Sequence, residues 1–221
     1  MATAPVIGTV TQNTTNGNVT VNFTHSGAST EVFYLERMSM HRNSGEWIQV
    51  RRFTRGSNTE MTDLTAPTGD IQLAYRIKAT NANDSGAVYS AVKYITLVCL
   101  DFSSVALVSE TWNPLIMKYA TSRSGDRGRQ ASLHRFAGRN YPVKEVARQY
   151  EEKVAVEWYC ETYTEVLDYY GVMVDGDFWY RDNSGRSFHA STENINVNDH
   201  PVLNGFTCSA TLTRIDGGIN N

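Results

Sequence analysis

Residues 178–190 read FWYRDNSGRSFHA and bring two arginines, an aspartate, an asparagine, two serines and a histidine into one short stretch. His189 stands four residues before Glu193, and an imidazole beside a carboxylate is the usual equipment for moving protons. Acyl-transfer chemistry also needs a nucleophile tied to that base, and neither a GxSxG elbow nor an HExxH helix occurs anywhere in the chain. A small hydrolase built on His189 and Glu193 is therefore the weaker of two readings. In the stronger one, Asp182-Asn183-Ser184-Gly185 is the tip of a β-hairpin between alternating Phe178/Tyr180 and Phe188/Ala190. Arg181, Asp182 and Arg186 would then pair in solvent, where ion pairs contribute little.

Other chemistry-bearing residues are more scattered. His25, His41, His134, His189 and His200 have no paired spacing for zinc, and Cys99, Cys160 and Cys208 form no CxxC pair and read as buried free thiols. Asp63, Asp70 and Asp84 lie in turn-like contexts, where aspartate serves the backbone. Trp158, Tyr159, Tyr163, Tyr169, Tyr170 and Trp179 include rings able to stack sugars, but their helix and strand spacing reads as core. Residues 121–139 hold Arg123, Arg127, Arg129, Arg135 and Arg139 in a glycine-punctuated stretch without the GxxxxGK[ST] spacing of a phosphate loop. These five, with Arg181 and Arg186, are candidate intersubunit contacts, because arginine is enriched at interfaces. No catalytic residue, cofactor or metal site is expected.

The elements that must position these residues follow from composition and period. Of 221 residues, 41% are hydrophobic and 19% charged, with a net charge of −3, which offers no basic surplus for nucleic acid. MATAPVIGTVTQ lacks the basic start and apolar run of a signal peptide, and no segment approaches the roughly 20 apolar residues of a membrane span. Folding in a cytoplasm is the expectation. From Val6 to Leu97 short runs alternate in hydrophobicity: Val19, Val21 and Phe23, then Val32 to Arg37, Trp47 to Val50 and Leu73 to Ala79. NTTNGN, HRNSGE and NANDSG are the turns between them, and TRGSN at 54–58 is another, which predicts a β-sandwich. Phe23, Tyr34, Trp47, Leu64, Tyr75 and the closing SGAVYSA resemble a fibronectin type III domain. That resemblance implies that Tyr75 opens a strand and ties its hydroxyl to the backbone of the loop after Leu64.

After Leu97 the pattern changes. VCLDFSSVALVSE suits a buried strand, Val154, Val156 and Trp158 alternate as a strand, and Tyr159, Tyr163, Val166, Leu167 and Tyr170 fall at helical intervals up to Gly171 as a C-cap. The order of a Gly-Arg-x-x-Pro-Val segment (Gly138–Val143), one helix, an aromatic-Arg-Asp-x-x-Gly-Arg hairpin (Tyr180–Arg186) and a Thr-Leu-x-Arg-Ile strand (Thr211–Ile215) is similar to minor or distal tail proteins of long-tailed bacteriophages. The expectation is a mainly β chain. An immunoglobulin-like, fibronectin III β-sandwich spans 1–97, and a tail-tube-like β-sandwich or barrel spans 98–221 with one helix at about 159–171. The resemblance implies no catalysis and a homo-oligomeric ring, commonly hexameric, in a virion tail assembled in the host cytoplasm. Tail-tube and tail-tip proteins would be its neighbours, and host-surface glycans are left open. The competing binding-module reading is a carbohydrate or receptor binder without a ring.

Overall fold

The computed structural model describes the chain apart from residues 1, 27–30, 40–45, 55–58, 119, 121, 130, 149, 201–203 and 216–221. Most of the turn expected at 41–46 and of that at 54–58 lies outside the described residues. The chain is mainly β, with several sheets and, among the described residues, one α-helix. No described helix is long and apolar enough to cross a membrane.

Alternation builds the first sheets. β1 (Val6–Gln12), β2 (Val19–Thr24), β3 (Val32–Ser39), β4 (Ile48–Thr54), β5 (Glu60–Asp63), β6 (Gln72–Thr80), β7 (Val88–Tyr89) and β8 (Lys93–Thr96) precede residue 98. They pair antiparallel as β1-β2-β5 and as β4-β3-β6, with β7 and β8 sharing the free edge of β6. In β2 every second residue, Val19, Val21 and Phe23, is buried. Those side chains join Phe33, Leu35, Leu73, Tyr75 and Ile77 of the other sheet in a single core cluster, so two inner faces close on one another as in a β-sandwich. The edge of β6 changes partner at Ser90, whose Oγ accepts the Ile77 N–H at 2.9 Å.

β9 (Ser103–Leu107) is the buried strand expected in VCLDFSSVALVSE, and β10 (Leu115–Met117) pairs with it. β11 (Ser122–Gly128), β12 (Ala131–His134), β13 (Val143–Val146), β14 (Glu151–Cys160) and α1 (Tyr163–Met173) follow. β15 (Phe178–Arg181) and β16 (Ser187–Ser191) make a hairpin, and β17 (Asn196–His200) and β18 (Gly205–Arg214) end the described chain.

Packing divides the chain into two units: residues 2–117 with 177–189, and residues 118–176 with 190–215. This is not the linear division at 97 and 98. Segment 98–117 and the hairpin 177–189 belong to the first unit, because Phe178–Arg181 pairs with Leu107–Ser104 and the hairpin bonds to loops of the first hundred residues.

In the second unit β14 lies between β11 and β18, with β17 and the last two residues of β16 on the far side of β18. α1 buries Val166, Tyr169 and Met173, and the Tyr169 ring lies 5.0 Å from that of Trp158 on β14. The helix begins and ends later than about 159–171. Tyr159 and Cys160 are held in β14 by pairing with Thr207 and Phe206. Thr162 is the N-cap, its Oγ1 accepting the Glu165 N–H at 3.3 Å. Gly171 is an interior helical residue, and the C-cap is Val174.

Candidate functional site

The hairpin tip forms where the sequence placed it. Asp182 Oδ1 accepts the backbone N–H groups of Ser184 and Arg186, both at 2.9 Å, and Gly185 takes φ +81°, a left-handed conformation that glycine adopts without steric cost. Its surroundings are the reverse of the solvated ion pair expected. Asp182 is fully buried, Arg181 is buried, and the Arg186 side chain is largely covered while it pairs with Asp182 at 2.9 Å.

Arg181 is consumed inside the first unit. Its guanidinium donates to Ser104 Oγ at 2.9 Å, Asn18 Oδ1 at 3.2 Å, the Ala66 carbonyl at 3.3 Å and the Asn16 carbonyl at 2.8 Å. Burial pulls its pKa down to about 10. As an intersubunit contact Arg181 is therefore misplaced, because it is buried with its guanidinium bonded within its own chain, whereas Arg186 pairs with Asp182 and is only partly covered.

A second buried cluster adjoins it. Arg37 Nη1 donates to Asp63 Oδ2 at 2.6 Å and Arg37 Nη2 to Ser187 Oγ at 2.9 Å. Tyr75 donates to the same Asp63 oxygen at 2.8 Å. The tyrosine thus ties to a carboxylate rather than to loop backbone, and burial raises its pKa well above the ordinary value. Ser187 also donates to the Thr65 carbonyl and accepts from Trp179 Nε1 at 2.9 Å. Asp63 is not a turn residue: it ends β5, fully buried. Sequence reasoning missed it because its partners, Arg37 and Tyr75, are distant in the chain. A free space of about 10 Å³ lies against this cluster, lined by Thr65, Ser104, Trp179 and Arg181 among others, which is room for no more than a water.

His189 stacks parallel to Trp179, ring centres 6.4 Å apart. Its nearest carboxylate is Asp177, at 3.6 Å, beyond hydrogen-bond reach. Both ring nitrogens are buried without a hydrogen-bond partner among the described residues. Glu193 instead lines a groove of about 480 Å³ in the second unit with Lys153, Thr192 and Thr213. Among the described residues no group of three or more His, Cys, Asp or Glu side chains is placed to hold a metal ion.

The thiols divide. Cys160 and Cys208 are buried on neighbouring strands, with sulfurs 3.7 Å apart, and Cys99 is exposed rather than buried. The Cys208 thiol donates to Cys160, which raises the pKa of the donor and lowers that of the acceptor. Of the aromatic set, Trp158, Tyr169 and Trp179 are buried as core, so they present no face to a sugar. Tyr163 is exposed.

Arg123, Arg127, Arg129, Arg135 and Arg139 do not lie in a plain loop. Arg123 and Arg127 sit on β11, paired opposite Val156 and Glu152. Arg129 stacks its guanidinium 4.1 Å from the centre of the Tyr150 ring. Arg135 and Arg139 occupy the turn joining β12 to β13, where Arg139 N–H bonds the Phe136 carbonyl and Gly138 takes φ +83°. Among the described strands β12 and β13 pair only with each other, and nearly every residue from 131 to 146 is exposed, including Leu133, Phe136, Tyr141 and Val146. Positive charge and apolar side chains thus share one exposed hairpin. No protein-family model matches the chain, and none of the curated proteins matches it.

Proposed function

We propose that this chain is a non-catalytic structural subunit of a bacteriophage tail or tail tip, present in the virion as a homo-oligomeric ring between tail tube and tip. The observation that carries the reading is the exposed hairpin β12–β13. An isolated two-stranded hairpin is marginal in water, and one that exposes Phe136, Tyr141 and Leu133 beside Arg135 and Arg139 has the composition of an interface core with a charged rim. Ring closure needs two different patches on each subunit, and such a projection supplies one of them.

The first unit supports an immunoglobulin-like, fibronectin III module. The strand orders β1-β2-β5 and β4-β3-β6-β7 suit it, and the aromatic anchors Phe23 and Phe33 pack 5.7 Å apart between the sheets. The tail-tube-like reading rests on the order of the motifs from Gly138 to Ile215, of which the Tyr180–Arg186 hairpin lies in the first unit, and on helix α1 packed against β14 and β18 of the second. His189 and Glu193, the pair on which the hydrolase reading rests, have different surroundings: His189 stacks on Trp179, and Glu193 lines the groove with Lys153.

Light scattering on the purified protein, with negative-stain images of the same fraction, tests the reading. The expected result is a closed ring, formed alone or on addition of the tail-tube protein. A chain that stays monomeric with every tail component, and binds glycans, overturns it.

A further inference from the structure

Charge is distributed unevenly within the second unit. Residues 121–150 hold six arginines and Lys144 against only Asp126 and Glu145, in a chain whose overall charge is −3. From Val154 to Tyr180 the reverse holds: Glu157, Glu161, Glu165, Asp168, Asp175 and Asp177 stand with no lysine or arginine at all. Each stretch also exposes large apolar groups. On the basic side these are Phe136 and Tyr141, 56% and 83% exposed, and on the acidic side Tyr163 and Leu167, 56% and 52% exposed.

The helical period explains the second surface. Val166, Tyr169 and Met173 point α1 into its own unit, which turns Thr164, Leu167, Asp168 and Gly171 outward. Nothing lies within 4 Å of the position a Gly171 side chain would take. Glu165 is already paired with Lys118 at 3.1 Å, whereas Glu161 and Asp168 make no ion pair with a described residue. On the hairpin, His134 pairs with Glu145 at 3.0 Å, while Arg135 and Arg139 at the turn make no such pair. Two surfaces of opposite sign, each centred on exposed apolar side chains, are therefore carried by every copy of the chain.

We infer that the β12–β13 hairpin of one copy docks on the outer face of α1 of the next, with Phe136 and Tyr141 against Tyr163 and Leu167, and Arg135 and Arg139 facing Glu161 and Asp168. This rests on the ring reading above and names the partner of that surface, a second copy of this chain. A polynucleotide is the other ligand that a basic, aromatic projection could take. The second copy is favoured because it answers both features at once, offering acidic groups beside apolar ones.

Charge exchange between copies tests it. Arg135→Glu with Arg139→Glu reverses the hairpin, and Glu161→Lys with Asp168→Lys reverses the helix face. Each variant alone should lose assembly by at least about a hundredfold in concentration, because like charges then meet at the contact. An equimolar mixture of the two should recover it, since each reversed hairpin meets a reversed helix and each native hairpin a native helix. Light scattering reads the mass, and circular-dichroism melts confirm that each variant is folded. If the reversed hairpin fails to fold, Phe136→Ser with Tyr141→Ser, paired with Leu167→Ser, probes the same contact.

Folded variants that assemble like the native chain, or a mixture that does not recover, overturn the docking and leave the ring reading standing. A native chain that stays monomeric with every tail component overturns both. Retention of a single-stranded oligonucleotide that disappears with Arg135→Glu and Arg139→Glu, while assembly is unchanged, overturns the docking in favour of nucleic acid.

Discussion

Asp63 accepts four hydrogen bonds, from Arg37, Tyr75, and the backbone and hydroxyl of Thr65, and it is fully shielded from water. Replacing it with asparagine keeps the shape and removes the charge, so Arg37 is left buried without its counter-ion and one amide N–H group points at existing donors. Removing one partner of a buried pair costs about 3–5 kcal/mol. Asp63→Asn should therefore lower the unfolding free energy by that amount, read as a fall in urea midpoint at unchanged slope, whereas Tyr75→Phe, which removes one hydrogen bond to a charged group, should cost roughly 2 kcal/mol. Equal midpoints for Asp63→Asn and the native chain would show that the cluster is not buried in solution. None of this was legible residue by residue: Arg37 lies 26 positions from Asp63 and 150 from Ser187, and local pattern is blind to such separations. The hairpin tip at Asp182–Gly185 was legible because turn chemistry is local.

At the scale of elements, the β15–β16 hairpin is held by close approach as well as by hydrogen bonds. Thr68 N–H bonds the Asp182 carbonyl at 3.0 Å, and a side chain added at Gly69 would come within 2.9 Å of the Asn183 carbonyl carbon. Gly69 is needed here for space, not for its dihedral angles. Gly69→Ala should destabilise by about 1–3 kcal/mol through backbone overpacking, measured as a shift in thermal midpoint, while Gly128→Ala, which meets nothing within 4 Å, should leave the midpoint nearly unchanged. Strands with strict alternation, β2 and β14 above all, stand where period predicted them. The glycine-rich run at 121–139 did not read as strands. β11 and β12 carry few apolar residues, and their extension comes from pairing with β14 and β13 rather than from a buried face.

At the scale of the molecule, the chain visits each of its two units twice. The mainly β class and the change of character after Leu97 were visible in composition and period; the return of 177–189 to the first unit was not, because a boundary read along the sequence assumes that each unit is continuous. A fragment ending at Leu97 would keep both sheets of the sandwich but lose the donors that bond the carbonyls of Asn16, Thr65 and Ala66. At about 1 kcal/mol for each lost hydrogen bond, it should unfold at a measurably lower denaturant midpoint than the whole chain. A fragment as stable as the first transition of the whole chain would show that the hairpin adds nothing.

The same return has a consequence in time. Polypeptides leave the ribosome from the N-terminus at roughly 5–20 residues per second, and among the described residues the last that the first unit uses, His189, follows Leu97 by nearly half of the chain. The sandwich can form early, but for about 5–20 s its Arg37 lacks Ser187 and the Ala66 carbonyl lacks Arg181. Through that interval the growing chain carries a completed sheet core with an unfinished polar end, and the residues that finish it arrive only after the whole basic hairpin and the acidic helix have been made.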